Sequence, residues 1–165
     1  MPEDIVRQLG HLTLGSRLKR IGERLQADVT RLAQAEGIDV PSPFFPLLTA
    51  LHRVGTMTVG DIAASLGTAQ PGVTRSLAQL EAMGLVKSAR NKADQRQRMV
   101  SLTPRGAELV VRTHRDIWPR VSDAVARLCN GLQGPLLSQL EALEEELARL
   151  PLDRRAAKPG KGERP

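Results

Sequence analysis

The sequence has few cysteines and few aromatic residues. Its 165 residues include one cysteine, Cys129, so no disulfide can form within the chain, and this usage is typical of a reducing cytoplasm. The aromatic content of 2%, with no tyrosine, argues against a surface that stacks single-stranded bases. No apolar run approaches the roughly 20 residues that span a bilayer, and residues 1–10 lack a secretory signal. We therefore expect a cytoplasmic protein without a membrane segment.

The sequence also lacks the motifs of enzymes and metal proteins. We find no nucleophile–base pair, paired carboxylates or phosphate-binding loop. The histidines His11, His52 and His114 stand singly, with no ligands at metal-binding spacing. Cys129 has no second cysteine with which to form a redox switch, so we predict a packed, inert thiol. We expect no catalysis, no cofactor and no bound metal.

Positive charge is concentrated in the middle of the chain and at its end. The net charge is +6, of which residues 58–106 carry +4 and residues 151–165 carry +3, whereas residues 107–150 carry −2. Such segregation is expected where one surface faces a polyphosphate, although a basic protein without nucleic acid fits the charge alone equally well. The composition of residues 153–165 predicts a basic, disordered tail.

Apolar residues at helical spacing predict long helices near both ends of the chain. Between Leu14 and Leu32 they recur every three or four residues, which indicates one amphipathic helix. Thr103-Pro104 predicts the start of a second helix, with a kink at Trp118-Pro119. A last helix carries a short heptad seam of leucines, namely Leu136, Leu140, Leu143, Leu147 and Leu150.

The middle of the chain predicts a short helix followed by a well-marked helix. Prolines mark residues 39–46 as a connection into a helix at about 45–54. Thr58 is predicted to cap the next helix, with Asp61 as a weak capping box. Gly67 ends it.

A further helix and a hairpin complete this region. Thr68 is predicted to cap a helix at about 69–84, whose first turn tolerates Pro71. Residues 85–90 and 98–102 indicate two short strands joined by the polar residues between them. Helix, tight turn, helix and hairpin follow each other here as in a winged helix-turn-helix.

We therefore predict a mainly α fold with a small β-hairpin wing. Residues 1–152 are expected to form a single unit. In it, a winged helix-turn-helix head at about 43–103 joins a dimerisation body built from helices at about 5–36 and 104–150.

The second helix of the helix-turn-helix is predicted to face a DNA duplex. At about 100° per residue its apolar side chains share one face, namely Val73, Leu77 and Leu80, with Gly84. Arg75 and Ala78 lie opposite, so this outward face is small and polar enough to enter the major groove. Arg75 suits guanine, and Gln70 or Gln79 suits adenine.

The hairpin adds basic side chains beside this helix. An arginine-bearing tip can reach the DNA backbone or the minor groove; the alternative is a solvated turn with ordinary surface charge. The predicted DNA-binding residues are Thr68, Gln70, Pro71, Thr74, Arg75, Gln79, Arg90, Lys92, Arg96 and Arg98.

Four stretches of the head resemble the MarR family of regulators. They are TVGDIA (58–63), QPGVTR (70–75), LEAMGLV (80–86) and VSLTPRG (100–106). The flanking helices also fit in order and length, so the resemblance spans roughly residues 11–150.

The wing departs from the family's usual pattern, which is Asp-x-Arg-Asp-x-Arg. Here the corresponding residues are NKADQR, in which Asp94 and Arg96 match while Asn91 and Ala93 do not. Lys92 or Arg98 is a candidate substitute for the missing wing arginine.

The resemblance implies a homodimer in which first and last helices of two chains entwine and present two heads to a palindrome. The leucine seam also favours pairing with a second copy, because a single half-site buries little surface; packing within the chain is the alternative.

Relatives of this type often respond to small, frequently aromatic anions lodged between the head and the dimer helices. The candidate residues for such a pocket are Phe44, Phe45, Leu48, His52 and Trp118. The alternative is that Phe44, Phe45 and Trp118 are core residues.

These observations together predict a sequence-specific DNA-binding transcriptional regulator. We expect a homodimeric repressor on a palindromic operator, with double-stranded DNA, a second copy and a small aromatic or anionic effector as partners. The alternative is a winged-helix module that binds DNA nonspecifically or mediates protein contacts.

Overall fold

The computed structural model describes residues 3–90, 98–130 and 132–150. The chain divides into two compact units, Met1–Val121 and Ser122–Pro165. The helices are α1 (Ile5–Gln8), α2 (Leu14–Ala35), α3 (Phe45–Val54), α4 (Val59–Leu66), α5 (Gln70–Ala82), α6 (Pro104–Asp116), α7 (Trp118–Cys129) and α8 (Leu136–Arg149). The strands are β1 (Met57–Thr58), β2 (Val86–Arg90) and β3 (Arg98–Leu102). Short 3₁₀ turns cover Gly10–Thr13 and Ser42–Phe44. No helix of the described chain is both long and apolar enough to cross a membrane.

Within the part of the chain that the structure describes, the long helix α2 is buried near its C-terminal end. Ala33 is buried, and Val29 and Leu32 pack against the core. Towards the N-terminus the same apolar stripe is open, since Leu14, Leu18 and Ile21 remain 39–51% exposed. The predicted helix is confirmed, and among the described residues its apolar face is buried near the C-terminal end and largely exposed towards the N-terminus.

The core of the first unit is built mainly from the helices and strands of the head. Helix α3 contributes Phe45, Leu47, Leu48 and Leu51, which are all buried. They belong to one apolar cluster with Ile62 of α4, Leu77 and Leu80 of α5, Val100 of β3 and Ile117 beyond α6. This cluster fixes the helix-turn-helix on its scaffold, because burying a large aliphatic side chain contributes about 1.5–3 kcal/mol.

The cap predicted for α4 is confirmed as a full capping box. The Thr58 hydroxyl accepts a hydrogen bond from the Asp61 backbone N–H at 3.1 Å, and the Asp61 carboxylate accepts one from the Thr58 backbone N–H at 3.3 Å. The helix ends at Gly67, whose φ of 60° lies in the left-handed region, where glycine has no Cβ penalty.

The cap predicted for the following helix is wrong. Helix α5 begins at Gln70 and its N-cap is Ala69, which makes no side-chain capping bond. Thr68 instead belongs to the end of α4, because its backbone N–H donates to the Ala63 carbonyl at 3.0 Å. This bond and the one from Gly67 to Ala64 form a Schellman-type C-cap.

The hairpin is confirmed, and a third strand joins it. The sheet order is β1-β3-β2, and every pairing is antiparallel. Strand β1, which sequence analysis did not predict, places Met57 opposite Val100 and so connects the start of the helix-turn-helix to the wing. Residues 91–97, the predicted loop and wing tip, lie outside the described residues.

Helix α6 starts as its sequence predicts, but the single kinked helix predicted from Thr103 onward is divided into α6 and α7. Thr103 caps it by accepting from the Gly106 backbone N–H at 3.1 Å. Only Ile117 separates α6 from α7, and the backbone bonds Ile117 N to Thr113 O and Val121 N to Ile117 O bridge the break. The predicted kink is confirmed, since Pro119 has no N–H for a regular helical bond.

The second unit contains the predicted leucine seam on α8. Leu136, Leu140 and Leu143 are half-buried and Leu147 is exposed, and no residue of α8 is buried. Cys129, at the end of α7, is a free and half-buried thiol.

Candidate DNA interface

Helix α5 turns its small, polar side outward. Val73, Leu77 and Leu80 are buried, as the helical periodicity predicts. On the other side Arg75, Ala78, Gln79 and Ala82 are exposed. Among the described residues Arg75 has no hydrogen-bond or ion-pair partner, so its guanidinium donors are available to a ligand.

The first turn of α5 lies against the start of α4. The Gln70 side chain lies close to Gly60, since its Nε2 would be only 3.4 Å from a Cβ added at that glycine. The Thr74 hydroxyl donates to the Gln70 carbonyl at 3.0 Å and keeps its lone pairs as acceptors. Residues of these two helices and of the wing line one open hollow on the surface. Its lining is Thr58, Val59, Gly60, Asp61, Gln70, Thr74 and Arg98.

The end of α5 is fastened to α6 through backbone carbonyls. The Thr103 hydroxyl donates to the Gly84 carbonyl at 2.7 Å, and the Thr103 backbone N–H donates to the Leu85 carbonyl at 3.0 Å. The Arg105 guanidinium donates to the Met83 carbonyl at 3.2 Å, where a cation complements the helix C-terminus. These bonds fix the direction of α5 relative to α6.

The wing is fastened to α5 through one carboxylate that sequence analysis did not identify. The Arg98 Nη2 lies 2.7 Å from Glu81 Oε1 and 2.6 Å from Glu81 Oε2. The Ser88 hydroxyl donates to the same Oε1. The Ser88 bond, followed by the Arg98 bond, holds the pKa of Glu81 below its ordinary value, and partial burial only partly offsets this.

The predicted basic residues of the wing have different environments. Arg98 contacts Glu81, whereas Arg90, directly opposite Arg98 in the ladder, is exposed and has no partner within the described chain. Lys92 and Arg96 lie outside the described residues, as do the other positions of the family's wing pattern. The structure therefore brings Gln70, Thr74 and Arg98 together around the hollow, while Arg75 and Gln79 lie on the exposed face of α5.

The candidate effector residues do not line one pocket. Phe44, Phe45 and Leu48 are buried in the core and His52 is exposed. Only Trp118 lines a surface groove, whose other walls are Pro46, Thr49, Ala50, Arg53, Val54, Ser65, Leu66 and His114. Phe45 supports this groove from below, because its ring meets the Trp118 ring edge-on at a centroid distance of 5.3 Å.

His114 is one of the residues that line this groove. Its ring centroid is 6.2 Å from both His52 and Trp118, and its Nε2 is 3.4 Å from the Thr49 hydroxyl oxygen. Burial, followed by repulsion from His52 and Arg53, lowers the pKa of His114.

The head and its exposed helix define a winged helix-turn-helix protein. Residues 38–97 match the family model described as MarR family. An HTH-type transcriptional regulator of Mycobacterium bovis is 36% identical over 106 residues, which cover 60% of this chain and 74% of that protein. The chain belongs to the MarR family.

Solved structures of the family share the fold over most of the chain. A mutant MarR from E. coli complexed with operator DNA has a TM-score of 0.68 at 19% identity, covering 88% of this chain and 99% of that one. The transcriptional repressor CouR, bound to a DNA duplex, has a TM-score of 0.60 at 26% identity, covering 86% and 95%.

Proposed function

We propose that this protein is a sequence-specific DNA-binding regulator that acts in the cytoplasm as a homodimer on a palindromic operator and represses transcription. The observation that carries the proposal is the orientation of α5. Its apolar side is buried, whereas its outward side carries the small residues Ala78 and Ala82 together with Arg75, which has no partner among the described residues. A helix with such a face approaches base edges closely, and an arginine on it binds guanine bidentately.

The proposed DNA contacts are of two kinds, those to bases and those to the phosphate backbone. Arg75, Gln70 and Gln79 are proposed to read bases, with Thr74, Pro71 and Thr68 beside the backbone at the start of α5. Arg90, together with the wing residues Lys92 and Arg96, is proposed to contact phosphates, which adds affinity but little sequence information.

The proposed homodimer accounts for apolar side chains that remain exposed among the described residues. Leu14, Leu18 and Ile21 continue the stripe of α2 beyond its buried end. In the second unit, α8 has a leucine seam and no buried residue. Open apolar surface along helices is typical of subunit contacts, and a two-fold pair presents two heads to two half-sites.

The relatives support a role in repression at an operator. CouR is called a transcriptional repressor and was solved on a DNA duplex, and the E. coli MarR mutant was solved on operator DNA. We extend both properties to this chain because the fold is shared along most of its length.

A small aromatic anion is proposed to release the protein from DNA. The groove beside Trp118 offers the Trp118 and His114 rings for stacking and the Arg53 guanidinium for a carboxylate, which are the groups such a ligand needs. A panel of small aromatic acids, scored by thermal shift and by release of DNA, tests this idea. A lack of response across the panel would contradict it.

Selection of bound duplexes from random or genomic DNA tests the proposed function. We expect purified protein to enrich one palindrome and to bind it about 10³-fold or more tightly than random duplex. Sedimentation at the same concentration should give two chains per particle. Comparable affinity for every duplex, or a monomer on a single half-site, would overturn the proposal.

A further inference from the structure

One carboxylate joins the three elements that face the proposed duplex. Glu81 lies on α5, Ser88 on β2 and Arg98 on β3, and both of the latter donate to the Glu81 carboxylate. The side chains of Glu81 and Arg98 are 28% and 47% exposed, so the pair is neither buried nor fully solvated. A charge-assisted pair of this kind orients both of its partners.

The strand register explains why this carboxylate is needed. Arg90 and Arg98 are direct partners across the β2–β3 ladder, and side chains of direct partners lie on the same face of a sheet. Like charges placed opposite one another destabilise such a pair. Glu81 neutralises Arg98, whereas Arg90 has no ionic partner among the described residues.

We propose that Glu81 is a positioning residue for the DNA interface, and that Arg98 braces the wing against α5 rather than contacting phosphate. This inference rests on the proposed DNA-binding function. Glu81 acts through Arg98 and Ser88, which set the angle of β2 and β3 relative to the recognition helix. The phosphate contact at the base of the wing then belongs to Arg90.

The two roles for Arg98 predict opposite effects of removing the Glu81 charge. If Arg98 binds phosphate, the substitution Glu81→Gln frees it and removes a negative charge near DNA, so binding becomes tighter. If Arg98 is a brace, the same substitution loosens the wing and weakens binding, although the protein becomes more positive. We expect about fivefold weaker binding, the upper end for a partly exposed pair.

The salt dependence of DNA binding distinguishes the proposed role of Arg90 from that of Arg98. In the intact protein, Arg90→Gln should flatten the slope of log affinity against log salt by about one, as loss of one phosphate contact does. Arg98→Gln should weaken binding without changing that slope. The double variant Glu81→Gln/Arg98→Gln should bind no worse than either single variant, because both substitutions remove the same brace.

The experiment measures binding of the full chain to its selected duplex over a range of salt concentrations, together with amide exchange in β2 and β3. Glu108→Gln is the matched control, because Glu108 is an exposed carboxylate with no partner within the described residues. It should bind as tightly as the wild type or slightly more tightly. We expect faster exchange of the wing amides in Glu81→Gln and weaker DNA binding by the same variant.

Two results would overturn the inference while leaving DNA binding intact. One is a Glu81→Gln variant that binds as tightly as the wild type or more tightly. The other is a flattened salt slope in Arg98→Gln. Failure of the wild type to bind any duplex overturns the proposed function first, so the two failures are distinguishable.

Discussion

Replacing Gly106 with alanine should destabilise the packing of α6 against the turn that follows α5. Gly106 is the third residue of α6, where it lies against the backbone of Leu85. A Cβ at this position would lie 2.0 Å from the Leu85 carbonyl oxygen and 3.3 Å from the Leu102 Cδ2. Close carbon–oxygen contacts in proteins are about 3.3 Å, so helix and turn would have to separate by roughly 1.3 Å.

The magnitude follows from two opposing terms. Alanine in a helix stabilises by about 0.5–1 kcal/mol relative to glycine. Overpacking against a backbone atom that cannot rotate away costs about 1–3 kcal/mol, and more where the shift is large. Because the Leu85 carbonyl also accepts the Thr103 backbone bond, we expect a net loss of about 2 kcal/mol, or roughly 4–8 °C in Tm.

Thermal and urea denaturation without DNA measure this loss, and Gly72→Ala is the matched control. Gly72 is likewise the third residue of its helix, α5, and a Cβ there meets nothing within 4 Å. We expect this control to be neutral or slightly more stable. Equal stability of the two variants would refute the close approach of α6 to Leu85.

Three further predictions concern stability. Thr58→Ala should cost about 1 kcal/mol in urea denaturation by removing the capping box, whereas Thr68→Ala, which removes no cap, should stay within about 0.5 kcal/mol. Because the pKa of His114 is lowered in the folded state, folding should lose stability as the pH falls below the unfolded value of about 6.5. In His114→Gln that part of the pH dependence should disappear; an unchanged profile would show that His114 does not cause it. The wild type should lose stability as the pH falls and Glu81 becomes protonated, because a lowered carboxyl pKa stabilises the folded state only above its folded value. In Glu81→Gln this part of the acid dependence should be absent.

Local signals in the sequence predict most of the fold. The boundaries of α3 and the capping box of α4 depend on residues within a few positions, and proline, glycine and threonine determine them directly. The cap predicted at Thr68 was wrong because threonine also occurs directly after helix ends, and here its backbone N–H donates to a carbonyl at the end of α4. Strand β1 escaped prediction since two residues have no periodicity.

The contacts that shape the candidate site are less accessible to sequence analysis. Glu81 and Arg98 are 17 positions apart, and nothing local indicates that they meet. One usable signal was present, because Arg98 lies two residues before the apolar Val100 and therefore on the same, inner face of β3. Periodicity could not separate the buried Phe44 and Phe45 from the groove-lining Trp118, since burial depends on elements far apart in the chain.

The most direct test of the central claim compares Arg75→Ala with Arg90→Ala on the selected palindrome and on random duplex. If the exposed face of α5 reads bases, Arg75→Ala should lose about 1–3 kcal/mol on the palindrome and little on random DNA. Arg90→Ala should weaken binding to both duplexes alike. Equal losses for Arg75→Ala on the two duplexes would contradict base reading by α5.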